Sequence, residues 1–110
     1  MTKYDKIQKA INILKNTKVP QVKGSYQQIV HDYETNESQM GFCALGVLIE
    51  NLPRDEKYNC TSTTKLNEVF GIEPLLWDLI ADLNDNDELS FSEIADNLQH
   101  IIDTGYVKNE

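Results

Sequence analysis

The chain has little of what usually marks a reaction. Its two cysteines, Cys43 and Cys60, are too few for a disulfide framework. Cys43 sits in an apolar run, where a free buried thiol is expected. There is no Cys-x-x-Cys or His-x-x-x-His pair, no Gly-rich phosphate loop and no Gly-x-Ser-x-Gly turn, so the common signatures of metal, nucleotide and hydrolase sites are missing. Cys43 as a nucleophile, with His31 or His100 as its base, would need a lowered thiol pKa. No cation neighbours it in sequence, and apolar surroundings act the other way. His31 has no second histidine nearby and reads as a surface or capping residue, since a metal site needs several ligands at workable spacing. A non-enzymatic role is expected. The longest apolar run, Phe42 to Ile49, is eight residues and cannot span a bilayer. No Lys/Arg-led apolar leader opens the chain. A cytoplasmic protein is expected.

Positive charge is scarce and unevenly placed. Residues 1–24 hold six Lys and one Asp, residues 25–72 three basic and seven acidic residues, and residues 73–110 one basic and ten acidic residues. The segments therefore carry +5, −4 and −9, which sum to the net −8. An acidic final third repels phosphate backbones. Only the first segment, through Lys3, Lys6 and Lys9, offers cations to a nucleic acid. Those lysines lie mostly off an apolar helix face, so a solvated amphipathic helix is the plainer reading.

What is present points to helices. Hydrophobic residues make up 40% and charged residues 25% of the sequence, ordinary values for a globular protein. At 110 residues one domain over 1–110 is expected. Thr2 is an N-cap candidate with Asp5 at the third helical position. Ile7, Ala10, Ile11 and Leu14 then form one face through about Lys15, extended by Tyr4. Pro20 and Gly24 mark a loop. Tyr26 to Tyr33 reads as a short strand or hairpin arm, and Thr35 to Gln39 as a polar turn. Gly41 to Leu52 is apolar nearly all round and reads as a central buried helix ended by Pro53. Gly46 inside it calls for a reason, and close approach of another backbone is the simplest. Arg54 to Asn59 is a charged loop. Cys60 to Thr64 supplies N-caps for a helix through Phe70, closed by Gly71.

The clearest stretch is Glu73 to Asp103. Pro74 suits a first helical turn, and Leu75, Leu76, Leu79, Ile80 and Leu83 form a stripe with Trp77 at its edge. Asn84 to Glu88 break the pattern. Ser90 and Glu93 have capping-box spacing. Phe91, Ile94, Ala95, Leu98, Ile101 and Ile102 face inward on the next helix, stopped by Gly105. The expected fold is mainly α, with four to five helices and a short β-hairpin near residues 24–33.

Two segments together, FCALGVLIE at 42–50 and LNDNDELSFSEIADNL at 83–98, carry a resemblance. Cys43, Leu45, Gly46 and Val47, followed by Leu83, Asn84, Asp85, Ser90, Phe91, Ile94, Ala95 and Asp96, resemble a family of small phage- and bacterium-encoded proteins. Ala44 stands where that family often has a second Cys, and Asp87 where it often has Gly. The resemblance implies a viral or mobile-element setting and no particular reaction.

Two motifs compete for the 82–93 turn. Aligned from Asp82, it resembles an EF-hand calcium loop: Asp82, Asn84 and Asn86 as early ligands, the Glu88 carbonyl, and Glu93 as the bidentate last ligand. Asp87 replaces the turn glycine, and Glu93 is claimed by the Ser90 cap. An Asx-rich helix connector explains the same letters without metal. LSFSEIADNL also resembles the first helix of a helix-turn-helix, but QHIIDTGYVKNE beyond it lacks a basic reading face. The expected function is an interaction or regulatory module acting through protein–protein contacts. Its partner would be a basic protein or a second copy, drawn by the +5/−9 contrast. The alternatives are a helix-turn-helix-like nucleic-acid binder and a calcium module.

Overall fold

The computed structural model describes residues 2–52 and 62–104. The expectations that rest on Pro53, the 54–59 loop, Cys60, Thr61 and Gly105 to Glu110 lie outside them. Helix α1 (Lys3–Asn16) opens with the expected capping box: the Asp5 N–H donates to the Thr2 hydroxyl, and the Thr2 N–H to the Asp5 carboxylate. Those bonds hold the Asp5 carboxyl below its ordinary value. Ile7, Ala10, Ile11 and Leu14 are buried, and α1 packs mainly on the last helix, α5 (Phe91–Thr104).

The middle of the chain departs from the reading. Strand β1 (Gln27–Asp32) pairs antiparallel with β2 (Glu37–Phe42), in register from Gln27 opposite Phe42 to Asp32 opposite Glu37. Glu37 to Gln39 are therefore strand rather than turn. Gly41 and Phe42 end β2 instead of opening a helix. The turn is Tyr33 to Asn36, with Asn36 in the left-handed region at φ 57°, where Asn is tolerated. On its outer side Phe42 also bridges Gln21: the Val22 N–H donates to the Phe42 carbonyl at 3.0 Å, and the Phe42 N–H to the Pro20 carbonyl at 2.8 Å.

Helix α2 (Ala44–Glu50) follows at once, N-capped by Cys43, whose sulfur accepts the Gly46 N–H at 3.3 Å. Ala44 to Ile49 are all buried, so α2 is the central helix, packed by α1, by α3 (Ser62–Phe70) and by α4 (Pro74–Asp85). Gly71 closes α3 at φ +66°. Pro74 begins α4 as expected. Leu76, Ile80 and Leu83 face the core, while Leu75 is 82% exposed, so the stripe is narrower than the sequence reading made it. Helix α4 also runs on through Asn84 to Asp85. Ser90 and Glu93 form the expected capping box ahead of α5.

The result is mainly α, with five helices and one hairpin around one core among the described residues. The radius of gyration is 14.0 Å, against about 13 Å for a compact domain of this size. The excess fits the hairpin, whose outer residues leave the core. No helix among the described residues is long and apolar enough to cross a membrane.

Gly46 has the reason the sequence called for. A Cβ there would press into the Tyr26 carbonyl oxygen and lie 2.9 Å from its carbon. Gly46→Ala is therefore expected to lower stability by about 2 kcal/mol, as overpacking does, although helix propensity alone would raise it by about 1 kcal/mol. The sign of the change in a urea melt separates the two.

Candidate functional sites

Asn84 is the one buried polar side chain among the described residues, at 1% exposure. Its carboxamide is fully used. Oδ1 accepts the Gln21 Nε2–H at 2.7 Å and the Ala44 N–H at 3.0 Å. Nδ2 donates to the Val22 carbonyl and the Asp85 carboxylate, each at 2.8 Å. Ala44 is the first residue of α2, so Asn84 caps that helix from another element. The neighbouring acceptors serve the same segment. Asp85 accepts the Gly24 N–H, Glu88 pairs with Lys23, and the Leu89 carbonyl takes a second N–H from Gln21. The pairing with Lys23 holds the Glu88 carboxyl below its usual range.

This places each expected calcium ligand. Asp82 and Asn84 lie inside α4, and Asp82 accepts from the Asn86 amide at 2.9 Å. Glu88 faces Lys23, and Glu93 accepts the Ser90 N–H at 3.0 Å. A twelve-residue ligand loop needs a turn that starts near Asp82, and here the helix occupies that place. Among the described residues no group of three or more His, Cys, Asp or Glu side chains is set to hold a metal. The left-handed residue of the turn is Glu88 at φ 57°, not Asp87.

The lysines proposed for nucleic acid are split. Lys3 pairs with Glu73 and its side chain is 11% exposed, while Lys9 is exposed and Lys6 half-buried on α1. With Lys15–Asp96 at 3.2 Å and Lys23–Glu88, these pairs join the basic first segment to the acidic last third within one molecule.

Cys43 is buried, and burial pushes its thiol up, with the charge of Asp85 adding to the shift. His31 lies four strand positions beyond Gln27, which pairs with Phe42, or about 13 Å along the strand. It contacts the Ser38 hydroxyl at 3.0 Å.

The surface that sequence reasoning missed is the hairpin. Ile29 pairs with Met40 and His31 with Ser38, so these share a face with Tyr33 beyond. Ile29 is 70%, Tyr33 88% and Met40 41% exposed. The His31 and Tyr33 rings meet edge to face at 4.5 Å. At its base the same face ends on buried Phe42. Reading 37–42 as a strand would have exposed this stripe in the sequence.

No protein-family model matches the chain, and no curated protein or solved structure matches it.

Asn84→Ala strands the Ala44 N–H and the Val22 carbonyl in the core. It is expected to cost about 3 kcal/mol in a denaturant melt, from unpaired buried groups, whereas Asn86→Ala should stay within about 0.5 kcal/mol. With Asn84 so committed, millimolar calcium against EDTA is expected to leave the Tm of the unaltered protein unchanged. A rise of several degrees would favour the calcium reading.

Proposed function

We propose that this chain is a protein-interaction module that docks its β-hairpin on a partner presenting apolar contacts within a basic rim. The observation that carries this reading is the exposed Ile29, Met40 and Tyr33 stripe on one hairpin face. Clustered exposed apolar side chains mark contact surfaces. A two-stranded hairpin is also marginal in water, and here its outer part has no core beneath it. Charge selects the partner. No Lys or Arg occurs between Gly24 and Pro53, while Asp32, Glu34 and Glu37 lie on or beside the hairpin turn. A basic protein surface complements this; a second acidic copy of the hairpin does not. The intramolecular pairing of Lys3, Lys15 and Lys23 leaves less of the +5 segment to draw another copy. The resemblance to small phage- and bacterium-encoded proteins implies a viral or mobile-element setting.

The test uses a strand-forming peptide of alternating Lys and Leu, titrated into isotope-labelled protein, with its Glu/Leu counterpart as control. The Lys/Leu peptide should shift hairpin amides, and Ile29→Ser with Tyr33→Ser should weaken it about tenfold, as loss of an anchor does. Shifts confined to the helical body, equal binding of the Glu/Leu peptide, or a hairpin-dependent dimer in sedimentation would each overturn the reading.

A further inference from the structure

A second feature stands apart from the hairpin face. A half-open cavity of about 190 Å³ lies between the start of β1, the N-terminus of α2 and the outer turns of α4. Tyr26, Cys43, Leu45, Trp77, Ala81 and Asp85 contribute to its wall, which is mostly apolar. A cavity of about 150 Å³ holds one benzene ring, so this space takes a single ring with a short substituent. None of its described lining residues is Lys or Arg. Asp85 supplies a carboxylate of which only Oδ1 is engaged by the Gly24 N–H and the Asn84 amide. Trp77 supplies an indole whose Nε1–H is buried without an acceptor, a state that buried donors rarely keep.

We propose that this cavity is a binding site for a small aromatic amine, its ring against Leu45, Ala81 and Trp77, its ammonium at Asp85, and an oxygen acceptor toward the Trp77 indole N–H. An anion is the wrong occupant. The two acidic groups on the wall besides Asp85 are both pushed toward their neutral forms: burial raises the Cys43 thiol, as does Asp85, and burial raises the Tyr26 phenol, as does Cys43. An ammonium meets the opposite balance, since a carboxylate and aromatic faces both favour it. A ligand oxygen on Trp77 would also relieve a donor that is otherwise desolvated and unpaired.

Trp77 is the only tryptophan in the chain and lines this cavity, so its fluorescence and its indole N–H resonance respond to an occupant there. It also lines a neighbouring cavity with Ile72, Pro74 and Asp78, from which the Ala81→Leu variant below distinguishes it. The probes are tyramine, phenethylamine, which lacks the oxygen, and 4-hydroxyphenylacetate, which reverses the charge. Tyramine should quench Trp77 saturably and shift its indole resonance, and should bind about tenfold more tightly than the acid, the size of one partly desolvated charge contact. Phenethylamine should bind more weakly than tyramine and leave the indole resonance nearly unmoved. Asp85→Asn keeps the acceptor for Gly24 and should abolish the preference for the amine. Ala81→Leu fills the cavity from a half-buried helix position and should abolish binding with the far-ultraviolet helix signal intact. No saturable change with tyramine, equal binding of the acid, or tyramine binding that survives Ala81→Leu overturns the proposal.

Discussion

The Asn84 carboxamide is the point on which the architecture turns. Three separate pieces of chain meet there: the extended segment at Gln21 and Val22, the first residue of α2, and the end of α4. Two of them carry backbone groups with no local partner. The Ala44 N–H is an orphan of a helix start, and the Val22 carbonyl is not part of the hairpin ladder. One side chain with two acceptor sites and two donors answers these needs at once. Where water is excluded, each such bond is stronger and each omission costlier. Placing Asn84 fixes where α2 begins, and α2 packs against α1, α3, α4 and β2.

From that point the electrostatics follow. The acidic residues at the end of α4 look like a ligand set when read along the chain. In space they are a docking strip for residues 21–24: Asp85 takes the Gly24 backbone and Glu88 takes Lys23. Exposed pairs of this kind add little to stability, so they set register more than stability. Their consequence lies elsewhere. Lysines spent on holding the basic segment to the acidic third leave the hairpin, itself without Lys or Arg, as an acidic and apolar projection. Part of the charge contrast is met within the molecule, through Lys3, Lys15 and Lys23.

Much of this fold is legible in the sequence because its signals are local. Thr2 and Asp5, Ser90 and Glu93, Pro74 and Gly71 each act within a turn of the residues they cap, and each does so in the structure. The errors arise where the deciding partner is distant. Gly41 and Phe42 continue an apolar run into α2, and periodicity cannot divide such a run. What makes them strand is pairing with Gln28 and Gln27 on one side and Gln21 on the other. Asn84 carries the same letters whether its oxygen meets a cation or two N–H groups. The two N–H groups come from residues 63 and 40 positions away. Gly46 lies between these cases: the sequence demanded a close backbone, and only the structure names Tyr26.

The ends of α3 and α4 show how a local rule bends to a distant contact. Both close in the same way. The Ile72 N–H reaches back to the Leu66 carbonyl, and the Leu89 N–H to the Leu83 carbonyl, each after a left-handed residue. In α3 that residue is Gly71, the expected choice, because it lacks the Cβ that makes the left-handed region unfavourable. A Cβ there would also crowd the Lys3 carbonyl at 3.2 Å. In α4 it is Glu88, exposed in the turn, which still meets the backbone penalty. Glycine would relieve that penalty and would remove the carboxylate that meets Lys23. The segment bearing Lys23 also bears Gln21 and Val22, and so brings the partners of Asn84 into place. A residue poorly suited to its own dihedral angles is thus kept where its side chain helps to seat the segment that completes the buried hub.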